Sequence, residues 1–397
     1  SIMLAQLEFK QDLSFLLKGL SLNGMANTNR TAFFDVVRQY RPFWYMPSGY
    51  DRMTDTYRLQ VINPDTGTDW LDYQPSNKEV SSVFRGQAQL VWQNKFGEKH
   101  EVSAMAIALA QSELTGNADE LQESLPARNL GISGRATYAY DLRYFLEFNF
   151  GYNGSERFHE SERYGFFPSA GVAWSISNEE FFKSFGLSTV DKLRVRANYG
   201  LVGNDAIGSR SERFFYLSEL NMTNGSYGAS FGTDGGYSRP GISVDRYDNS
   251  KVTWETAENS TFGLEVGLWD KLDFIGEYFT EERYNILMDR ASIPATMGLQ
   301  GAKPKANVGK AATKAIDLSL DYGDYFAEDI MLSIRANFTY AKNKFLAYEE
   351  PEYEHEWLYR VGHSTAQQWG YIAERLFVDD NEVESSPTQS FNGWETM

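Results

Sequence analysis

Apolar and polar positions alternate along this chain with a period of two. Over 144–153, Tyr144, Leu146, Phe148, Phe150 and Tyr152 alternate with Phe145, Glu147, Asn149, Gly151 and Asn153. Over 193–201, Leu193, Val195, Ala197, Tyr199 and Leu201 alternate with Arg194, Arg196, Asn198 and Gly200. Over 330–340, Ile330, Leu332, Ile334, Ala336, Phe338 and Tyr340 alternate with Met331, Ser333, Arg335, Asn337 and Thr339. Successive side chains of a strand point to opposite faces, so each run predicts a strand with one greasy and one wet face. Runs of about ten residues match a tilted strand crossing a hydrocarbon core, whereas soluble strands average ~5–6. Leu146, Phe148, Leu332 and Ile334 are therefore expected to face lipid. Glu147, Arg194, Arg335 and Asn337 are expected to face an aqueous lumen.

The same pattern predicts about a dozen strands, near 4–15, 20–28, 81–94, 100–112, 130–140, 144–153, 165–175, 192–202, 252–268, 272–287, 307–322 and 329–342. Tight turns are expected at 17–19, 95–98, 141–143, 269–271 and 323–328, and long connections at 29–80, 113–129, 154–164, 203–251 and 288–306. Short and long connections alternate, as they do when one barrel end carries brief turns and the other long outer loops. Ser177-Asn178-Glu179-Glu180 has capping-box form and predicts a short structural helix at the short-turn rim. No solenoid-type repeat or low-complexity linker divides 1–397, which reads as part of one domain. The fold class expected is all-β: a transmembrane antiparallel β-barrel.

Composition sharpens this. Aromatics make up 15% of the residues, which favours pleated, half-buried surfaces. No apolar run approaches the ~18 residues of a membrane-spanning helix, and a barrel that alternates lipid-facing and lumen-facing residues is polar on average. With no Cys, disulfides and thiolate metal sites are excluded. A net charge of −17 argues against nucleic-acid binding through phosphates. Acidic stretches such as Glu349-Glu350-Pro351-Glu352 read as solvated loop charge. Ser1 follows no charged-then-apolar leader within the chain.

Enzyme signatures were sought. Neither a Gly-x-Ser-x-Gly elbow nor a phosphate loop occurs, and His100, His159, His355 and His363 lack metal-ligand spacing. The stretch 63–69, Asn-Pro-Asp-Thr-Gly-Thr-Asp, carries calcium-loop residue types without the calcium-loop pattern and reads better as a turn. No catalytic residue, metal or cofactor is expected. The remaining candidates are aromatic. Trp44, Tyr45, Trp70 and Trp357 lie in or beside predicted long loops, where they could stack against a flat ligand or merely belong to an interface girdle.

An ordered series of short motifs resembles one family. Leu125-Pro126-Ala127-Arg128-Asn129 leads to Gly134-Arg135-Ala136-Thr137-Tyr138 and then Gly151-Tyr152-Asn153-Gly154-Ser155-Glu156-Arg157-Phe158. Arg163-Tyr164-Gly165-Phe166-Phe167-Pro168-Ser169, Trp174-Ser175-Ile176-Ser177, Leu193-Arg194-Val195-Arg196-Ala197-Asn198-Tyr199-Gly200 and Gly203-Asn204 follow. Trp254-Glu255, Gly263-Leu264-Glu265, Asn307-Val308-Gly309-Lys310 and Gly370-Tyr371 continue it. The succession, from near Leu7 to Phe377, resembles the SusC/RagA-type TonB-dependent outer-membrane transporters of Bacteroidetes. Thr313-Lys314-Ala315-Ile316-Asp317 departs from that family's pattern locally.

The resemblance implies a barrel of roughly 22 strands around a plug, a SusD-like surface lipoprotein lid, energy from the TonB complex, outer-membrane lipid around the wall, and a glycan or peptide ligand. It implies active import and no enzyme activity; the alternative is a passive or adhesive barrel that binds a surface ligand without energised transport. Because plug, TonB box and terminal strands are not among these residues, the parent is expected to extend beyond Ser1 and Met397. The present strands are expected to form an open, curved sheet, its edges near 7–13 and 330–340.

Overall fold

The computed structural model describes residues 1–397 except 75, 119–120, 187–188, 209–211, 300, 303, 328–329, 388, 392–393 and 397. Twelve antiparallel strands form one sheet in strict sequence order. They are β1 (Ile2–Asp12), β2 (Leu20–Phe34), β3 (Lys78–Phe96), β4 (His100–Thr115), β5 (Ala127–Tyr140), β6 (Tyr144–Ser155), β7 (Tyr164–Ser175), β8 (Val190–Asn204), β9 (Glu255–Leu268), β10 (Leu272–Asp289), β11 (Lys305–Ala327) and β12 (Ile330–Ala347). Every predicted strand is present, and most run further toward the long-loop side than the alternation shows. The turn expected at 323–328 is mostly strand, since β11 reaches Ala327; the remainder, at 328–329, lies outside the described residues.

Local chemistry sets the short turns. β1 stops at Asp12 rather than continuing to 15, because the Asp12 carboxylate accepts from the Ser14 backbone N–H (2.8 Å) and turns the chain. Phe15, expected to close the strand, lies exposed in that turn together with Leu16 and Leu17. Gly19, at φ 84°, has Gln93 O 1.9 Å from where a Cβ would sit, so only glycine fits. Asp141-Leu142 and Trp269-Asp270 both take left-handed φ (50° and 53°, 58° and 53°), the mirror-turn geometry of two-residue hairpins. Here non-glycine residues adopt it, and Arg143 Nη2 holds Asp141 at 2.7 Å.

The capping box does not form. A 3₁₀ turn at Ile176–Asn178 is followed by a helix at Glu180–Ser184, whose N-cap Glu179 makes no side-chain capping bond. The Glu179 carboxylate instead accepts from Arg143 Nη1 (3.1 Å), Trp174 Nε1 (3.0 Å) and the Tyr144 hydroxyl. Charge-assisted bonds outweigh a cap, so Glu179 knots three elements of this rim together. Elsewhere, the sequence reading missed two hairpins inside long loops, Tyr45–Asp51 with Thr56–Val61 and Glu219–Phe231 with Tyr237–Arg246, and the helices Leu121–Ser124 and Asp380–Ser385.

Register separates the two faces as expected. Leu146 opposes Tyr138 and Val172, while Glu147 opposes Thr137 and Gly171. Leu146, Phe148, Leu332 and Ile334 are exposed on the apolar face. On that face Tyr140, Tyr144 and Trp174 form a stacked row at the short-turn end, with centroids 6.4 Å apart at each step. A second row at the long-loop end includes Tyr152 and Tyr164, stacked at 5.3 Å. From Tyr144 to Tyr152, ~3.4 Å per residue gives about 27 Å along the strand. A tilt of ~40° reduces this to about 21 Å across the bilayer, close to the ~25 Å apolar band between the aromatic girdles of outer-membrane barrels. The strands are outer-membrane barrel wall.

The sheet is open. Its order ends at β1 on one side and β12 on the other, and among the described residues no ladder joins them. The outer end of β12 is covered by its own chain, where Phe345 bonds His363 O (2.9 Å) and accepts from Gly362 N (2.8 Å).

Candidate functional site: the polar face and its outer loops

A hollow of about 990 Å³ is lined by Arg135, Thr137, Glu147, Asn149, Arg196 and Asn198 among others. One hollow reached from seven neighbouring strands, β3 to β9, requires the sheet to curl toward that face, so the polar set is concave. Its charges are paired across strands. Arg135 meets Glu147 at 2.7 Å, and Asn149 Nδ2 donates to the same carboxylate at 2.9 Å. Arg196 reaches Glu277 at 2.8 Å. Glu265 is 6% exposed and is approached by Lys192 (2.8 Å), Arg194 (3.7 Å) and Arg196 (3.8 Å). Arg335 pairs with Asp321, and the Thr339 hydroxyl donates to Asp317 at 2.9 Å. A wall of ion pairs and amides is wettable and can line a path for a hydrophilic solute.

Above this face the outer loops share a core. Phe158, Phe215, Val252 and Trp254 are buried against one another, with Phe167, Ile207 and Leu287 packed around them. The segments come from the connection between β6 and β7 and from the one between β8 and β9, which runs to Trp254, so two loop regions collapse together. Burying each large apolar side chain is worth about 1.5–3 kcal/mol. Arg213, 2% exposed, ties in a third segment. Its guanidinium donates to Leu125 O (2.7 Å), Pro126 O (2.9 Å) and Gln122 O (3.3 Å), and lies 4.7 Å from the Phe214 ring centroid. Each charge-assisted bond contributes roughly 1.5–3 kcal/mol. Nearby, Glu349 ties the segment after β12 to the loop before β11, accepting from Arg290 Nε and the Ser292 hydroxyl. Burial would raise its carboxyl pKa, but the bonds from Arg290 and Ser292 bring it below the usual range.

The sequence reading missed this loop core. Arg213-Phe214-Phe215-Tyr216 was the available signal, three aromatics beside a cation in a nominal loop.

The four aromatic candidates are exposed in the outer loops. Trp44 precedes the first hairpin; its backbone N–H donates to Asn63 Oδ1 at 2.6 Å, and Asn63 Nδ2 donates to Pro42 O at 3.0 Å. The 63–69 stretch is thus a turn that clamps the hairpin base, with Thr66 and Gly67 N–H groups bonding Asn63 O. Tyr45 opens the hairpin opposite Val61. Trp70 is fixed through its carbonyl, which accepts from the Thr68 hydroxyl at 3.1 Å. Trp357 stacks on His355 at 4.2 Å and 14°. Among the described residues no ring contact joins any two of the four.

No family profile matches the chain. It is 27% identical over 281 residues to TonB-dependent receptor P26 of Formosa agariphila, covering 64% of the chain and 27% of that protein. TonB-dependent receptor P3 of the same organism is 26% identical over 218 residues, covering 55% of the chain and 20% of that protein. TonB-dependent receptor SusC of Bacteroides thetaiotaomicron is 26% identical over 269 residues, covering 65% and 26%. The chain therefore spans about a quarter of the length of these curated relatives. Among solved structures, the RagAB peptide importer in its closed-closed state superposes with a TM-score of 0.59 at 19% identity, over 87% of this chain and 37% of that one. That likeness establishes a shared barrel-wall fold.

Proposed function

We propose that this chain is lumen wall and outer loops of a SusC/RagA-type TonB-dependent importer that takes up a glycan- or peptide-type nutrient. The observation that carries the reading is the combination of a charged, hydrogen-bonded concave face with sequence likeness to TonB-dependent receptors over most of the chain. A solute too polar to cross lipid needs such a wall. The two sheet edges, at β1 and at β12, are where further wall strands would pair.

In this reading the ligand first meets the outer loops, where Trp44, Tyr45, Trp70 and Trp357 offer open ring faces, and a SusD-like lipoprotein lid closes over it. Energy from the TonB complex then opens the lumen, and the ligand passes along the paired charges of the polar face. No covalent step is required of any residue. The two ligand classes rest on different supports. RagAB is described as a peptide importer, whereas exposed tryptophans suit the flat apolar face of a sugar ring. Uptake of the ligand by cells carrying the protein should vanish when TonB is removed. Uptake unaffected by TonB loss would sink the proposal in favour of a passive or adhesive barrel.

A further inference from the structure

The lipid-facing side of the wall carries a feature that import does not use. At the outer ends of β3 to β7 a groove of about 350 Å³ is floored by Ala110 and Gly154 and walled by Phe84, Leu130 and Tyr164. The ladder puts these on the apolar face: Ala110 opposes Leu130, Leu130 opposes Gly154, and Gly154 opposes Tyr164. Phe84 opposes Ser112, two residues from Ala110. Small residues create the hollow. A Cβ on Gly154 would fall 2.5 Å from the Tyr164 ring, so Tyr164 lies across a bare backbone. Tyr164 also belongs to the outer aromatic row, which places the groove where hydrocarbon gives way to headgroups.

Two arginines stand at its rim, Arg128 and Arg163. Arg128 opposes Ser112, on the same apolar face, and its ion pair is with Glu156 at 3.6 Å, leaving 59% of its side chain exposed. Such a pair is weak and screened. Arg163 Nε is buried and has no hydrogen-bond acceptor. Its backbone carbonyl is occupied, accepting from Ser155 N and Trp254 Nε1. Snorkelling toward water would satisfy Arg128; the Nε of Arg163 is sealed in, so only the two Nη groups of its guanidinium could meet a ligand at the rim. Two cations facing the single carboxylate of Glu156 leave the rim positive.

We propose that this groove binds an anionic lipid of the outer leaflet, its phosphate held between Arg128 and Arg163 and an acyl chain laid against Phe84, Leu130 and Tyr164. The guanidinium fork matches phosphate geometry with two parallel bonds, and the apolar groove selects a phosphate that carries a chain. The site is independent of whether the barrel imports anything.

The test uses the protein extracted from its membrane in mild detergent, stripped of lipid and titrated by native mass spectrometry. The ligands are a phosphorylated diacyl lipid, the matching uncharged diacylglycerol, and inorganic phosphate. The phosphorylated lipid should bind at least tenfold more tightly than either of the others. Arg128→Gln with Arg163→Gln should weaken it at least tenfold, and Arg128→Lys with Arg163→Lys should lose less. Ala110→Trp, which fills the groove and leaves both arginines, should weaken the lipid and spare phosphate; heat-modifiable migration checks that each variant is folded. Equal lipid binding by wild type and the glutamine pair, or by wild type and Ala110→Trp, would overturn the proposal. So would equal binding of diacylglycerol, which would make the groove merely greasy, or equal binding of phosphate, which would make it a plain anion site.

Discussion

Replacing Phe148 by arginine puts a charge halfway between the two aromatic rows of β6. Phe148 lies four residues from both Tyr144 and Tyr152 and is exposed on the apolar face, which places it near the bilayer midplane. An arginine there should cost about 2–4 kcal/mol. Since every ~1.4 kcal/mol is a factor of ten in an equilibrium constant, the folded-to-unfolded ratio should fall roughly thirty- to a thousandfold. The matched control is Thr137→Arg on the next strand, directly opposite the carboxylate-bearing Glu147 on the polar face. There a new guanidinium meets water and an acid, and the cost should stay within about 0.5 kcal/mol of zero, as for surface substitutions generally. Equilibrium refolding from urea into lipid vesicles, followed by heat-modifiable gel migration, measures both. Equal costs at 148 and 137 would refute the assignment of faces, because a one-residue slip in register would reverse every side chain.

Three further outcomes follow from particular contacts. Arg213→Met keeps bulk but removes at least three charge-assisted bonds, so limited proteolysis within 203–251 should accelerate at least tenfold while the wall stays folded. Hydrogen bonds from Tyr144 and Trp174, then Arg143, hold the Glu179 carboxyl below the usual glutamate range, with burial opposing them. A lowered folded-state pKa stabilises above the ordinary value and that contribution is lost as pH falls through the lowered one. Wild type and Glu179→Gln should therefore differ in stability above about pH 4.3, the ordinary glutamate value, and converge in stronger acid; parallel curves would remove the knot. Trp44→Ala with Trp70→Ala should weaken ligand binding by roughly 1–3 kcal/mol if both rings stack, without impairing insertion, and unchanged affinity returns them to interface decoration.

How much was legible in the sequence depended on the range of the interactions. Residues 144–153 declare a membrane strand because the lipid–lumen contrast repeats every second residue, so all twelve strands could be found and faced. Strand ends were less legible. Residues 13–15 read as more strand, and only the Asp12–Ser14 bond shows why they are not. The helix at the short-turn rim was found through a capping box that does not form; its anchor, Glu179, is fixed by Arg143 and Trp174 from other elements. The outer loop core was the larger omission. Phe158, Phe215 and Trp254 share no periodicity and meet only because the wall brings their loops together. Trp44 and Trp357, chosen for exposure and aromaticity, are exposed, but nothing local in sequence says which rings gather around a ligand.

The central claim is that the polar face of this wall lines an energised import path, and the lack of cysteine among these 397 residues suits it to a direct test. Single cysteines are introduced as Asn149→Cys on the polar face and Phe148→Cys on the apolar face, in cells that depend on the protein for ligand uptake. Each is treated with a bulky, water-soluble maleimide. The account predicts that Asn149→Cys is labelled, that its labelling stops TonB-dependent uptake, and that excess ligand protects it, while Phe148→Cys stays unlabelled and active. Equal labelling at both positions, or full uptake with Asn149→Cys completely modified, would contradict it.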